Sequence, residues 1–140
     1  MAYAQWVAIT IYPSNFEITL KNVAHSWGKF YKDGNKDNEI QPSEIEGTKI
    51  AAGNSYVIYA CGRSDAAAGT EGSFDIYDGA TVVGTYTWDC PWGSKTNSSN
   101  WSPNGPQPPF NNYITQQSGA NLNSGALGNV TLQTTKVKTL

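Results

Sequence analysis

The stretch FDIYDGATVVGTYTW, residues 74 to 88, decides the fold. Phe74 and Ile76 alternate with Asp75 and Tyr77. Asp78-Gly79 then interrupts the run, and Val82 to Trp88 carries the chain back. Alternation with period two marks a half-buried strand, and Asp-Gly between two such runs is a strong hairpin signal. On the return strand the spacing predicts Val82, Tyr86 and Trp88 on one face. The same period recurs on either side. Val7, Ile9 and Ile11 alternate with Ala8, Thr10 and Tyr12. Pro13-Ser14-Asn15 makes a turn, and Phe16 to Lys21 alternates without a fault. Ser55 to Cys61, Tyr113 to Gln116 and Leu127 to Thr134 complete the strands, and no segment longer than ten residues reads as a helix. Short strands punctuated by Gly, Asn, Asp and Pro predict an all-β chain folded as one antiparallel β-sandwich.

The totals bound what such a sandwich does. The 140 residues are expected to form a single domain, 1–140. A net charge of -2 and a pI near 5.2 argue against nucleic acid as a partner, and no basic cluster suits anionic lipid. The N-terminus, MAYAQWVAITIY, has neither a basic n-region nor a long apolar h-region. The chain is therefore expected to be made soluble without a signal peptide and to leave the cell, if it does, by a non-classical route. Cys61 and Cys90 allow one bridge or two free thiols.

Three motifs point to chemistry and are outweighed. Asp33 to Glu44 places oxygen-bearing side chains at the spacing of a calcium loop, but Asn38 stands where the sharp turn needs Gly. The flanks are also poor helices, so a polar turn is expected and no metal. His25 is the one histidine, with Ser26 beside it and Asp65 further on. No Gly-x-Ser-x-Gly elbow and no metal-spaced cluster accompanies them, so no enzyme and no cofactor is expected. Asn97, Asn100 and Asn129 open glycosylation sequons that a chain without a signal peptide would not use.

The excess is aromatic: five Trp, eight Tyr and four Phe. Trp88 shares a face with core residues and is expected inside. Trp92 follows Pro91 and leaves that periodicity. Either it folds back to plug one end of the sandwich, or it projects from the turn. Trp6 points opposite to Val7 and Ile9, Trp27 lies between strands, and Trp101 falls in 93–112, a stretch that composition marks as a loop. Indoles off the core suit a membrane interface, hold a quaternary ammonium by cation–π attraction, or stack on sugars. Lys95 adds a cation for a phosphate. An aromatic wall plus one cation describes a phospholipid headgroup site or a lectin-like carbohydrate site, and composition leaves both open.

The motifs AYAQW (2 to 6), SWGK (26 to 29), DGNKD (33 to 37), CGRSDAA (61 to 67), GTEGSFDIYDG (69 to 79), WDCPWGSKTN (88 to 97) and SGALG (124 to 128) span nearly the whole chain. In these motifs and their order the chain resembles the aegerolysin family. The resemblance implies an actinoporin-like β-sandwich and a non-enzymatic protein that binds sphingolipids at the surface of target cells. It implies sphingomyelin with cholesterol, or ceramide phosphoethanolamine, as lipid. It further implies a perforin-type protein that makes the pore in a cytolytic or insecticidal pair, and it allows a weak homodimer. Carried over by motif, Trp6 and Trp27 match tryptophans of membrane contact. Trp92 and Lys95 match headgroup-side positions, and Arg63 and Asp65 fall in a loop expected beside them. In one place the chain departs from several sphingomyelin-binding relatives: Ala68 stands where they carry a carboxylate, which is expected to change the sphingolipid or cholesterol state accepted.

Overall fold

The hairpin is present in the computed structural model, which describes residues 3–104 and 112–137. In chain order the elements are β1 (Trp6–Pro13), β2 (Ile18–Trp27), β3 (Lys29–Lys32), β4 (Asn35–Ile40), α1 (Pro42–Ile45), β5 (Lys49–Ile50), β6 (Tyr56–Cys61), β7 (Thr70–Asp78), β8 (Thr81–Cys90), β9 (Ser98–Pro103), β10 (Tyr113–Ser118) and β11 (Gly128–Lys136). One sheet has six strands in the order β10-β11-β1-β6-β3-β4, the other five in the order β5-β2-β7-β8-β9. The Pro13–Asn15 turn therefore does not close a hairpin. It carries the chain from one sheet to the other. Among the described residues all pairings are antiparallel but one: β11 returns beside β1 in parallel, with Ile9 opposite Val130. Alternation within a strand says nothing about strand direction, so this departure from a purely antiparallel sandwich left no trace in the sequence pattern.

The inward rows meet in one core. Val7, Ile9 and Ile11 of β1 and Phe30 of β3 face Ile18, Leu20, Phe74, Ile76, Tyr86 and Trp88 of the second sheet, all of them buried. Phe30 and Trp88 touch across the sandwich with ring centroids 5.9 Å apart. Trp88 is 1 % exposed, and its indole N–H donates to Thr70 Oγ1 at 3.0 Å, so its polar atom is satisfied inside. Such an indole contributes several kcal/mol to stability, since truncating one in a core costs about 3–5 kcal/mol.

Two expectations need correction. Val82 does not join Tyr86 and Trp88. The pairing slips between Ile76 and Tyr77, a bulge that inserts one residue, so Val83 enters the core and Val82 is only half-buried. Trp101 is not in a loop. It lies on β9 opposite Tyr86, and its indole rests on Gly84, where any Cβ would collide with the ring. Residues 98–103 thus form an edge strand despite their Ser, Asn and Pro, because one large apolar side chain covers the margin of the core. Of the remainder of the stretch marked as a loop, 93–97 runs outside any strand, and 105–111 lies outside the described residues.

The stretch 33–44 forms a β-hairpin and one helical turn. Asp33 and Gly34 both take positive φ, at 59° and 66°, between β3 and β4. That is the type I′ geometry that Asp-Gly favours in two-residue hairpins. Cys61 and Cys90 are both buried and free, and burial pushes both thiols up from their usual pKa.

Candidate functional site

One end of the sandwich gathers the unusual residues. The pairing of β2 with β7 slips between His25 and Trp27, so Ser26 and Trp27 both face solvent in succession. A bulge re-aims a side chain in this way, and here it turns an indole outward that strict alternation would have placed differently. Further back, a first slip leaves Asn22 at φ 54°, and the Glu46 carboxylate accepts from the backbone N–H of Asn22 at 3.0 Å and of Val23 at 2.9 Å. The carboxylate that follows α1 thereby holds the distorted part of the strand in shape.

Trp27 and Trp92 line a hollow of about 960 Å³. They are the two most solvent-exposed tryptophans among the described residues, at 59 % and 44 %. Residues 67–70 form one wall and 91–96 the other, with Lys95 on the second, and Glu71 and Asp89 also line the hollow. The two walls are close because Gly69 lies against the backbone of Cys90 and Pro91, where a side chain would not fit. Trp92 therefore projects into solvent and does not plug the sandwich, and Lys95 is exposed. Ala68 lines the same hollow.

The 91–96 loop is anchored at its far end. Asn97 is buried, and its side-chain N–H₂ donates to the carbonyls of Asn121 at 2.9 Å and Gly125 at 3.1 Å. Its backbone N–H donates to Asn123 O at 3.0 Å, and Cys90 Sγ donates to Gly125 O at 3.3 Å. The Asn121–Gly125 segment thus braces both ends of the loop that carries Trp92. Asn97 drew notice in the sequence only as a sequon. Its role is structural, and its amide is not available for modification.

Not every expected residue reaches the hollow. Arg63 lines a smaller recess of about 380 Å³ that also has Trp27 and Ala68 in its wall. Its guanidinium is bound by two hydrogen bonds to the Glu39 carboxylate, at 3.0 and 2.9 Å. The Arg63 hydrogen bond is the main reason that Glu39 stays below the usual carboxylate pKa. Asp65 is exposed and lines neither hollow. Trp6 stands at the same end, opposite Cys61 in the register, but its half-buried ring lies under Lys36 Nζ at 5.5 Å. His25 packs edge-on against Phe30 at 5.1 Å, and burial, followed by the charge on Arg63, lowers its pKa. Glu71 and Asp89 escaped the sequence reading. Only the β7–β8 register brings them together, directly opposite one another.

No helix among the described residues is long and apolar enough to cross a membrane. The family model described as Aegerolysin matches residues 4–137. The chain is 46 % identical over 140 residues to Ostreolysin A6 of Pleurotus ostreatus, covering 97 % of this chain and 98 % of the relative. It is 51 % identical over 98 residues to Asp-hemolysin of Aspergillus fumigatus, covering 69 % and 70 %. Among solved structures, the RahU protein in complex with a Tris molecule superposes with a TM-score of 0.91 at 37 % identity, over 99 % of this chain and 100 % of that one. The fold extends to the lipid-binding protein Nakanori at a TM-score of 0.64 and 13 % identity, over 94 % and 71 %. With a family match over nearly the whole length, relatives near half identity and the same two-sheet architecture in RahU, the chain belongs to the aegerolysin family.

Proposed function

We propose that the hollow between Trp27 and Trp92 binds the headgroup of a membrane sphingolipid, either sphingomyelin with cholesterol or ceramide phosphoethanolamine. The observation that carries this reading is the pair of indoles, 59 % and 44 % exposed, on the walls of one hollow with Lys95 beside them. Exposed tryptophans side by side cost a soluble protein hydration free energy unless they meet an apolar or cationic partner. Lys95 supplies a phosphate contact, and the indole faces supply cation–π attraction for the headgroup amine. Trp6 at the same end adds aromatic surface near the bilayer. Burying one aromatic side chain contributes about 1.5–3 kcal/mol, so two or three with a headgroup reach useful affinity despite ordering costs. The name hemolysin carried by one relative supports a membrane target.

The chain acts on this reading as the docking component, and a perforin-type partner makes the pore. The one helix described has four residues and the strands are paired in the two sheets, which supports assigning perforation to a second protein. The test is a vesicle panel of sphingomyelin, ceramide phosphoethanolamine or phosphatidylcholine, each with and without cholesterol. The purified chain is expected to sediment with a sphingolipid set and to release little dye. Failure to bind any sphingolipid set would overturn the headgroup reading. Pure lipid vesicles carry no glycan, so binding there also excludes a purely sugar-binding role. Efficient leakage by the chain alone at submicromolar concentration would overturn its docking role.

A further inference from the structure

The exposed large apolar side chains among the described residues gather at two places. Trp27, Trp92 and Leu122 belong to the end of the sandwich that holds the hollow, and Ile114 and Val137 to the opposite end of β10 and β11. Leu122 is 55 % exposed and does not line the hollow. It lies in the 119–127 loop, which leads into β11 where Gly128 stands opposite Val7, next to Trp6. The carbonyls of its neighbours Asn121 and Asn123 accept from the Asn97 side chain at 2.9 Å and the Asn97 backbone N–H at 3.0 Å. The loop that carries Leu122 is thereby tied to the loop that carries Trp92.

A single exposed leucine is ordinary on a wet surface. Two features set this one apart. Its loop, GANLNSGAL, has no charged residue. The polar backbone of that loop is also satisfied from within the protein. Besides the two carbonyls above, that of Gly125 accepts from Asn97 at 3.1 Å, and those of Ser124 and Ala126 accept from the Asn121 side-chain amide at 3.0 and 2.9 Å. The carbonyl of Leu127 accepts from the Asn121 backbone N–H at 2.9 Å, and Asn121 Oδ1 accepts from the Asn123 N–H at 3.0 Å. Backbone groups paired in this way enter an apolar layer at little cost, and a loop already held in shape has little freedom left to lose on binding.

We infer that Leu122 is a bilayer anchor, seated by the 119–127 loop among the acyl chains just below the headgroups and outside the hollow. This rests on the membrane reading above and adds a contact that does not choose among headgroups. Trp27 and the Trp92 loop extend from strands of the five-stranded sheet, whereas the Leu122 loop leads into the six-stranded one. Footing from both layers fixes the tilt of the sandwich on the membrane, with Ile114 and Val137 held away from the lipid.

The two native thiols are buried, so a cysteine placed at an exposed position takes a thiol-reactive dye selectively. Leu122→Cys and Ile114→Cys are each labelled with a polarity-sensitive fluorophore. They are then mixed with phosphatidylcholine–cholesterol vesicles containing sphingomyelin or ceramide phosphoethanolamine. The dye at position 122 is expected to shift to the blue on binding and to be quenched by lipids spin-labelled high on the acyl chain, and the dye at position 114 to do neither. Unlabelled Leu122→Ala is expected to sediment about tenfold more weakly with whichever sphingolipid set holds the wild type, the worth of burying one aliphatic side chain. Its melting temperature and its preference between the sets should match the wild type. A dye at position 122 that stays in water while the protein sediments, or Leu122→Ala binding as the wild type does, overturns the anchor and leaves the headgroup reading standing. A changed preference between the sets also overturns it, because Leu122 would then belong to the headgroup site. A wild type that binds no sphingolipid vesicle overturns both.

Discussion

Trp88 and Trp92 stand four positions apart in one segment and do opposite things. Trp88 continues the inward row of β8, is 1 % exposed and has its N–H bonded within the core. Trp92 follows Pro91, is 44 % exposed and lines the hollow. The difference lies in what surrounds them. Up to Cys90 the register with β7 dictates which side faces in. Beyond it the chain is held by Gly69 packing against Cys90 and Pro91 and by the Asn97 anchors, and no core row remains to capture the indole. One tryptophan stabilises the sandwich, and the other is positioned by it.

The contrast breaks most visibly at Trp88. Trp88→Ala is expected to cost about 3–5 kcal/mol, since it leaves a cavity and an unpaired Thr70 hydroxyl. Thermal unfolding should show a fall of roughly ten degrees or more for a chain of this size. A shift of only a degree or two would show that the core does not depend on this indole. Asn97→Ala removes two side-chain hydrogen bonds from a buried position and is expected to cost about 1–3 kcal/mol. It should also weaken vesicle binding per folded molecule, because the Trp92 loop loses its anchor. Unaltered binding beside a lowered melting temperature would separate the anchor from the site.

Lys95→Ala sharpens the other side of the comparison. The side chain is exposed, so thermal unfolding should not move, while affinity for sphingolipid vesicles falls about tenfold. Equal binding by the folded variant would make Lys95 a solvated surface charge. The smallest effect is expected at the exposed Arg63–Glu39 pair, which sits in neither the core nor the main hollow. Arg63→Ala should cost less than about 1 kcal/mol at neutral pH. The sign with pH follows from Glu39, whose folded pKa is lowered. Its stabilisation is present above the unfolded carboxylate value and is lost as pH falls through the folded one. Wild type and variant should therefore converge in melting temperature once pH has fallen through the lowered folded value of Glu39, and a gap that persists there would mean that Arg63 acts through packing.

Much of the sandwich was legible because period two is a property of the chain itself. Phe16, Ile18 and Leu20, like Phe74 and Ile76, point inward as their spacing requires. Register and long-range neighbours are not written that way. The bulge that admits Val83 leaves the local sequence unremarkable, and β9 forms from polar residues because Trp101 finds Gly84 across the sheet. The hollow divides along the same line. Trp27, Trp92 and Lys95 could be picked out as aromatics and a cation on turn-rich segments. Glu71 and Asp89 become neighbours only through strand pairing. Arg63 sits in the expected loop, but Glu39, far off in sequence, holds its guanidinium.

The central claim is that Trp92 is exposed in order to meet a lipid headgroup. Co-sedimentation of the wild type and Trp92→Ala with sphingolipid vesicles, at matched concentrations of folded protein, tests it most directly. The account predicts that the variant melts within a few degrees of the wild type and binds at least about tenfold more weakly, the equivalent of losing one buried aromatic contact. Equal binding by the two proteins, or a large fall in melting temperature with binding per folded molecule unaltered, would contradict it.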